Sequence, residues 1–157
     1  MAVQHRSHIL ASAEDTAHLA QRLAMHLEPG DTILLSGPVG AGKTHFARAL
    51  IQSILSEPED VPSPTFTLIQ TYETRRGTLW HADLYRVTST QELEELGLSE
   101  AFETAICVVE WPDRLGDMKP RAALDIALAT DQAEDTRHLV AEWDTQHWQD
   151  RLEGWIP

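Results

Sequence analysis

Gly37-Pro38-Val39-Gly40-Ala41-Gly42-Lys43-Thr44 follows the pattern Gly-x4-Gly-Lys-[Ser/Thr], and the residues on either side of it decide how the chain folds. Before it, Thr32–Ser36 is a short apolar run that follows the breaker Pro29-Gly30-Asp31, which predicts a strand. After it, Phe46, Ala49, Leu50 and Ile54 recur on one helical face, which predicts a helix opening at Lys43 and running to Leu55. Strand, glycine-rich turn and helix is the order in which a backbone can wrap a polyphosphate.

The chemistry explains the residue types. A triphosphate tail carries dense negative charge, so the wrapping backbone must turn sharply and aim several N–H groups inward without intervening side chains. Gly37, Gly40 and Gly42 permit the turn, with Pro38, Val39 and Ala41 completing the cradle. The helix N-terminus adds free N–H groups and the positive end of its dipole. Lys43 is expected to reach the outer phosphates and the Thr44 hydroxyl to hold a magnesium ion. Only two lysines occur in the chain, Lys43 and Lys119, so one of two stands in the obligatory position.

Composition narrows the classes. A chain of 157 residues suits one domain, spanning 1–157, with a core large enough to need no disulfide or structural metal. The single cysteine, Cys107, lies in the apolar run Ala105–Val109 and reads as a buried strand residue in a protein of a reducing compartment. Neither a signal peptide nor a membrane span is legible, so a cytoplasmic location is expected. A net charge of −13 argues against independent binding to a nucleic-acid backbone.

Outside the glycine-rich turn, Ser12 and Asp15 open a predicted first helix carrying Ala17, Leu19, Ala20, Leu23, Ala24 and Leu27. Glu57–Pro64 reads as an extended loop, and Thr65–Tyr72 and Thr78–Leu84 as antiparallel strands joined through Glu73–Gly77. A polar helix stops at Gly97, and Ala105–Val109 is a strand buried on both faces. Ala122–Ala129 and His138–Trp143 alternate and close the sheet, while Trp148, Leu152 and Trp155 form a helical stripe read as core. The expected architecture is α/β: a three-layer sandwich of the P-loop NTPase type, its mixed sheet having parallel core strands, antiparallel additions and flanking helices.

A phosphate loop needs an acid from a neighbouring strand to orient the metal or its water. Glu110, at the end of Val108-Val109, and Asp83, after Trp80-His81-Ala82, are both candidates, and a solvated carboxylate at a strand end is the plain alternative for each. Ser63-Pro64-Thr65 stands where nucleotide switches place a loop that orders around the terminal phosphate, although the prolines also suit a rigid connector.

Taken together, Gly37–Thr44, Val61–Thr67, His81-Ala82-Asp83-Leu84-Tyr85-Arg86, Glu94–Gly97 and Val109-Glu110-Trp111-Pro112 resemble the TsaE (formerly YjeE) family over about Leu10 to Trp143. The resemblance implies an ATPase needed, with TsaB and TsaD, for threonylcarbamoyladenosine formation in tRNA beside the anticodon; TsaC or a relative supplies threonylcarbamoyl adenylate, and tRNA is met through the partners. ATP and Mg2+ would be its ligands. Carried over by motif, Lys43 binds phosphate, Thr44 and Glu110 hold magnesium directly or through water, Asp83 assists the metal or the hydrolytic water, and Thr65 belongs to the switch loop. Trp111 would lie near the nucleotide, with Thr16 and Arg137 as further nucleotide contacts. Pro38 departs from the family, which often has an acid after the first glycine.

Two other functions use the same turn. A small-molecule kinase would need an arginine-bearing lid, for which Arg75-Arg76 is a poor candidate because it reads as the cap of a solvated hairpin. A nucleotide sensor would bind without turnover. A GTPase is disfavoured because Asn-Lys-x-Asp is absent.

Overall fold

A computed structural model describes residues 1–157, and its centre is a seven-stranded mixed sheet. The strands are β1 (Gln4–Leu10), β2 (Thr32–Ser36), β3 (Ile69–Thr74), β4 (Gly77–Asp83), β5 (Ile106–Glu110), β6 (Leu124–Thr130) and β7 (Arg137–Trp143). They lie in the order β1-β7-β6-β2-β5-β4-β3. The four central strands are parallel, and β7, β1 and β3 are antiparallel additions at the two edges. This is the expected α/β architecture.

Helices cover the sheet from both sides. On one face α1 (Ala13–Ala24) and α2 (Lys43–Ile54) bury Leu19, Leu23, Phe46, Leu50 and Ile54 against Ile33, Leu35, Val108 and Ile126. On the other, α3 (Thr90–Glu95), α4 (Leu98–Thr104) and a 3-10 stretch (Pro112–Met118) bring Leu93, Leu98, Ala101 and Leu115 onto Leu34, Cys107 and Val109. β2 and β5 are therefore apolar at successive positions, facing a core on each side. No helix is long and apolar enough to cross a membrane.

Local signals set several boundaries. Ser12 caps α1 by accepting from the Asp15 N–H at 3.1 Å, and Asp15 Oδ2 accepts from the Ala11 N–H at 3.2 Å. The tail is core, as its stripe predicts: α5 (Gln146–Arg151) buries Trp148, and Leu152 and Trp155 follow it into the α1 side. Arg151 and His147 both bond the buried Asp31 carboxylate, tying that tail to the loop before β2.

Two strand boundaries are corrected, and two elements, β1 and α4, have no counterpart in the sequence reading. The strand expected from Thr65 begins only at Ile69. Thr65–Leu68 forms a turn closed by the Leu68 N–H on Pro64 O at 2.7 Å, with Leu68 at φ 66°, and this turns Phe66 outward to 83% exposure. Gln4–Leu10 is an edge strand although only Leu10 is buried; its ladder with β7 holds it in place. Gly97, at φ 84°, does end the polar helix, but α4 starts immediately after it. The connection read as Glu73–Gly77 is shorter, because the ladder continues to the Thr74–Gly77 pair and leaves only Arg75 and Arg76 between the strands.

Candidate functional site

Gly37–Thr44 joins the carboxyl end of β2 to α2, beside the ends of β5 and β4. Crevices at the carboxyl ends of parallel strands are where open α/β sheets bind ligands. At Gly37 a Cβ would stand 2.2 Å from the backbone oxygen of Leu128, so the turn can pass β6 only with glycine there. Gly42 caps α2 in the left-handed region at φ 103°, which brings the helix N-terminus directly out of the turn.

Lys43 is buried, and its ammonium donates to Gly37 O at 2.6 Å and Pro38 O at 2.9 Å. It also stands 4.1 Å from the centre of the Trp111 ring. Burial lowers its pKa from the ordinary lysine value, and the charges of Glu110 and Asp83 oppose that shift. The ammonium thus braces the turn from inside.

The acids come from adjacent strands. β4 and β5 run parallel with Asp83 opposite Glu110, which sets both carboxylates at the same end of the sheet. Glu110 is buried; its Oε1 accepts from the Thr44 hydroxyl at 2.7 Å and its Oε2 meets His81 Nε2 at 2.7 Å. Asp83 Oδ1 accepts from the Tyr85 N–H at 3.1 Å, and Oδ2 from the Thr65 hydroxyl at 3.3 Å and the Ser63 hydroxyl at 3.5 Å. The loop after α2 is thereby fastened to the strand carrying the second acid. The two hydroxyls also contact each other at 2.7 Å.

These groups enclose a cleft of about 370 Å³, lined by Val39, Gly40, Gly42, Lys43, Thr44, His45, Ser63, Thr65, Asp83, Tyr85, Glu110 and Trp111. Its size lies within the ordinary range for small-molecule sites. Trp111, at φ 61°, and Tyr85 form an aromatic wall with ring centres 4.8 Å apart. Another hollow of about 400 Å³ near Lys119, Arg121, Asp125 and Glu142 mixes both charges and has no phosphate-wrapping turn.

Lys43, Thr44, Thr65, Asp83, Glu110 and Trp111, read from the sequence as site residues, therefore meet around one cleft. Gly37, Pro38 and Ala41 form its frame rather than its lining, two of them through the carbonyls that receive Lys43. Arg137, from the start of β7, directs Nε to Ala41 O at 3.1 Å and Nη2 to Gly40 O at 3.3 Å, clamping the turn from behind. Thr16 does not reach the cleft: it is buried on α1 and its hydroxyl donates to Ser12 O. Arg75 and Arg76 bond Ser53 O and Leu27 O, which makes them anchors of the hairpin rather than a lid.

Three participants were not assigned from the sequence. His45 lines the cleft and meets Ala13 O through Nε2 at 2.9 Å, and Tyr85 supplies the second ring. His81 is the third. Its place two residues before Asp83 on a buried strand puts both on one face of the sheet, the periodicity that would have found it.

The donor set has a clear preference. Thr44, Glu110 and Asp83 offer hard oxygens, and no three His, Cys, Asp or Glu side chains gather into a metal cage. Magnesium fits such a site, since it takes one or two protein oxygens and completes its shell with phosphate and water. The buried ammonium and the helix N-terminus fit the phosphates.

Fold and site together define the P-loop nucleotide-binding class, on a mixed sheet. The family model described as "Threonylcarbamoyl adenosine biosynthesis protein TsaE" matches residues 10–139. The tRNA threonylcarbamoyladenosine biosynthesis protein TsaE of Rickettsia conorii is 36% identical over 94% of this chain and 82% of its own length. Its namesake from Rickettsia felis is 45% identical over 67% of this chain, a match spanning 61% of that protein. The crystal structure of YdiB from Bacillus subtilis superposes with a TM-score of 0.80 at 26% identity, covering 99% of this chain and 96% of YdiB. The chain belongs to the TsaE family, whose named members serve tRNA threonylcarbamoyladenosine biosynthesis.

Proposed function

We propose that this protein is a Mg2+-dependent ATPase that drives or resets a TsaB–TsaD threonylcarbamoyl transfer complex acting on tRNA. The observation that carries the reading is the Thr44–Glu110 hydrogen bond of 2.7 Å, which joins the phosphate-loop helix to the acid of a neighbouring strand. A turn that only held phosphate would not need a buried carboxylate tied to the residue after its lysine.

In this reading the N–H groups of Gly40–Thr44 and the Lys43 ammonium bind the phosphates and offset the charge that develops on them. Thr44 and Glu110 hold the metal, which when bound supplies charge neutralisation at the outer phosphates. Asp83, with Ser63 and Thr65 fastened to it, orients water at the mouth of the cleft. Trp111 and Tyr85 cover the polar groups and restrict solvent. The net charge of −13 favours contact with tRNA through partner proteins rather than directly.

The test is a reconstitution of tRNA modification from purified TsaB, TsaD, TsaC, tRNA and this protein. Inorganic phosphate should be released slowly by the isolated chain and faster with TsaB and TsaD, and modification should pass beyond a single turnover only when the wild-type chain is present. Lys43→Ala should abolish that support. A phosphorylated metabolite in place of free phosphate, or sustained modification without the chain, would defeat the proposal.

A further inference from the structure

His81 is fully buried on β4, and His81 and Asp83 stand opposite Val108 and Glu110 of β5 in the parallel register. Side chains two residues apart on a strand point to one face, so His81 shares the face of Asp83 and Glu110 but sits deeper along the strand, fully buried and outside the lining of the cleft. Its Nε2 meets Glu110 Oε2 at 2.7 Å. An ionised carboxylate only accepts, so Nε2 carries the hydrogen and donates it. The other ring nitrogen, Nδ1, is buried and has no partner.

That orphaned nitrogen is informative. A leucine would fill this strand position without leaving a polar atom unpaired, so packing does not account for an imidazole here. Its one hydrogen bond does. A glutamate side chain turns about three bonds, and the Thr44 hydroxyl on Oε1 restrains only one oxygen. A second donor on Oε2 fixes the plane of the carboxylate and its rotation together.

We propose that His81 is a positioning residue that holds Glu110 in the orientation needed at the magnesium-phosphate site. The inference rests on the ATPase reading above. Hydrogen bonds behind a metal-organising carboxylate set its direction and basicity, and their loss typically weakens metal affinity by about 10- to 100-fold.

The experiment compares the wild-type protein with His81→Leu and His81→Gln, whose amide nitrogen reaches nearly as far as the imidazole Nε2. Calorimetry gives ATP affinity in EDTA and across a Mg2+ series. ATP binding in EDTA should agree within about 2-fold among the three, whereas the Mg2+ concentration giving half of the metal-dependent tightening should rise about 10-fold in His81→Leu and return to within about 3-fold of wild type in His81→Gln. Equal Mg2+ response in His81→Leu and wild type, or in His81→Gln and His81→Leu, would overturn the positioning role while leaving the ATPase reading intact. A wild-type protein that binds no ATP would overturn both.

Nitrogen-15 spectra of the wild-type imidazole supply a readout that does not depend on either variant folding. Nε2 should carry the proton, Nδ1 should not, and Glu110→Gln should shift the Nε2 resonance. A proton on Nδ1 alone, or no response to Glu110→Gln, would equally overturn the role.

Discussion

Thr44 and Glu110 are 66 residues apart in the chain, yet the hydroxyl of one donates to the carboxylate of the other at 2.7 Å. The contact exists because β2 and β5 are adjacent parallel strands, with Leu35 opposite Glu110, so the residues following each strand share one crevice.

Glu110→Gln keeps the length and shape of the side chain and removes its charge. ATP affinity should stay within about 3-fold of wild type while the hydrolysis rate falls by about 100-fold, as when a group that organises developing charge is lost. Phosphate release at saturating ATP, set beside calorimetric affinity, separates the two. An unchanged rate would remove Glu110 from the metal site.

Arg137 stabilises the phosphate-wrapping turn through its fork on the Gly40 and Ala41 carbonyls. Arg137→Met should weaken nucleotide binding by about 10-fold, the scale of one charge-assisted hydrogen bond, and speed amide exchange at Ala41 and Gly42. Arg137→Lys should not restore either, since a single ammonium lacks the planar fork. Exchange rates identical to wild type would show that the turn holds its shape alone.

Cys107 is fully buried on β5, and burial raises its thiol pKa from 9.0 to about 12. The folded state therefore holds the thiol proton more tightly than the unfolded chain. Its contribution is complete below pH 9 and declines as pH rises from there toward about 12. Urea unfolding should show the stability of the wild type relative to Cys107→Ala falling by about 1.4 kcal/mol between pH 7.5 and 10. A constant difference would mean that the thiol ionises as easily inside as outside.

Trp148 is fully buried and its indole N–H donates to Ala122 O at 2.6 Å. Trp148→Ala should cost about 3–5 kcal/mol in chemical unfolding, by lost burial, a cavity and an unpaired carbonyl. A change below about 1 kcal/mol would mark the tail as a surface stripe rather than core.

The parts legible in the sequence share a short range. The turn at Gly37, the strand before it, the helix after it and the cap at Ser12 follow from backbone conformations and periodicities within a dozen residues, and the structure reproduces their order. β5 is equally plain, because a strand between two helical layers is apolar at successive positions, here from Ile106 to Val109 ahead of Glu110. The antiparallel pairing of β6 with β7 followed from alternation on both sides of a polar loop.

The errors had a different origin. β1 carries no apolar pattern because six of its seven residues are at least partly exposed, and the ladder with β7 that defines it joins the two ends of the chain. Thr65–Leu68 has strand propensity, but Asp83 takes the Thr65 hydroxyl and Pro64 takes the Leu68 N–H, which closes a turn. The fork of Arg137 on the Gly40 and Ala41 carbonyls is likewise invisible in the sequence, because only the fold brings β7 within reach of the turn.

Residue order alone therefore announced a phosphate-wrapping turn, its helix, the buried strands and two acids able to serve them. A glycine's conformational freedom and a side chain's apolarity are properties of the residue and survive in a linear text. Which acid meets Thr44, what stands behind that acid and which face Arg137 supports were settled by the pairing of β5 with β2 on one side and β4 on the other, and by the passage of β7 beside the turn. A hydrogen bond needs two groups within about 3 Å in the right direction, and folding alone brings such distant residues together.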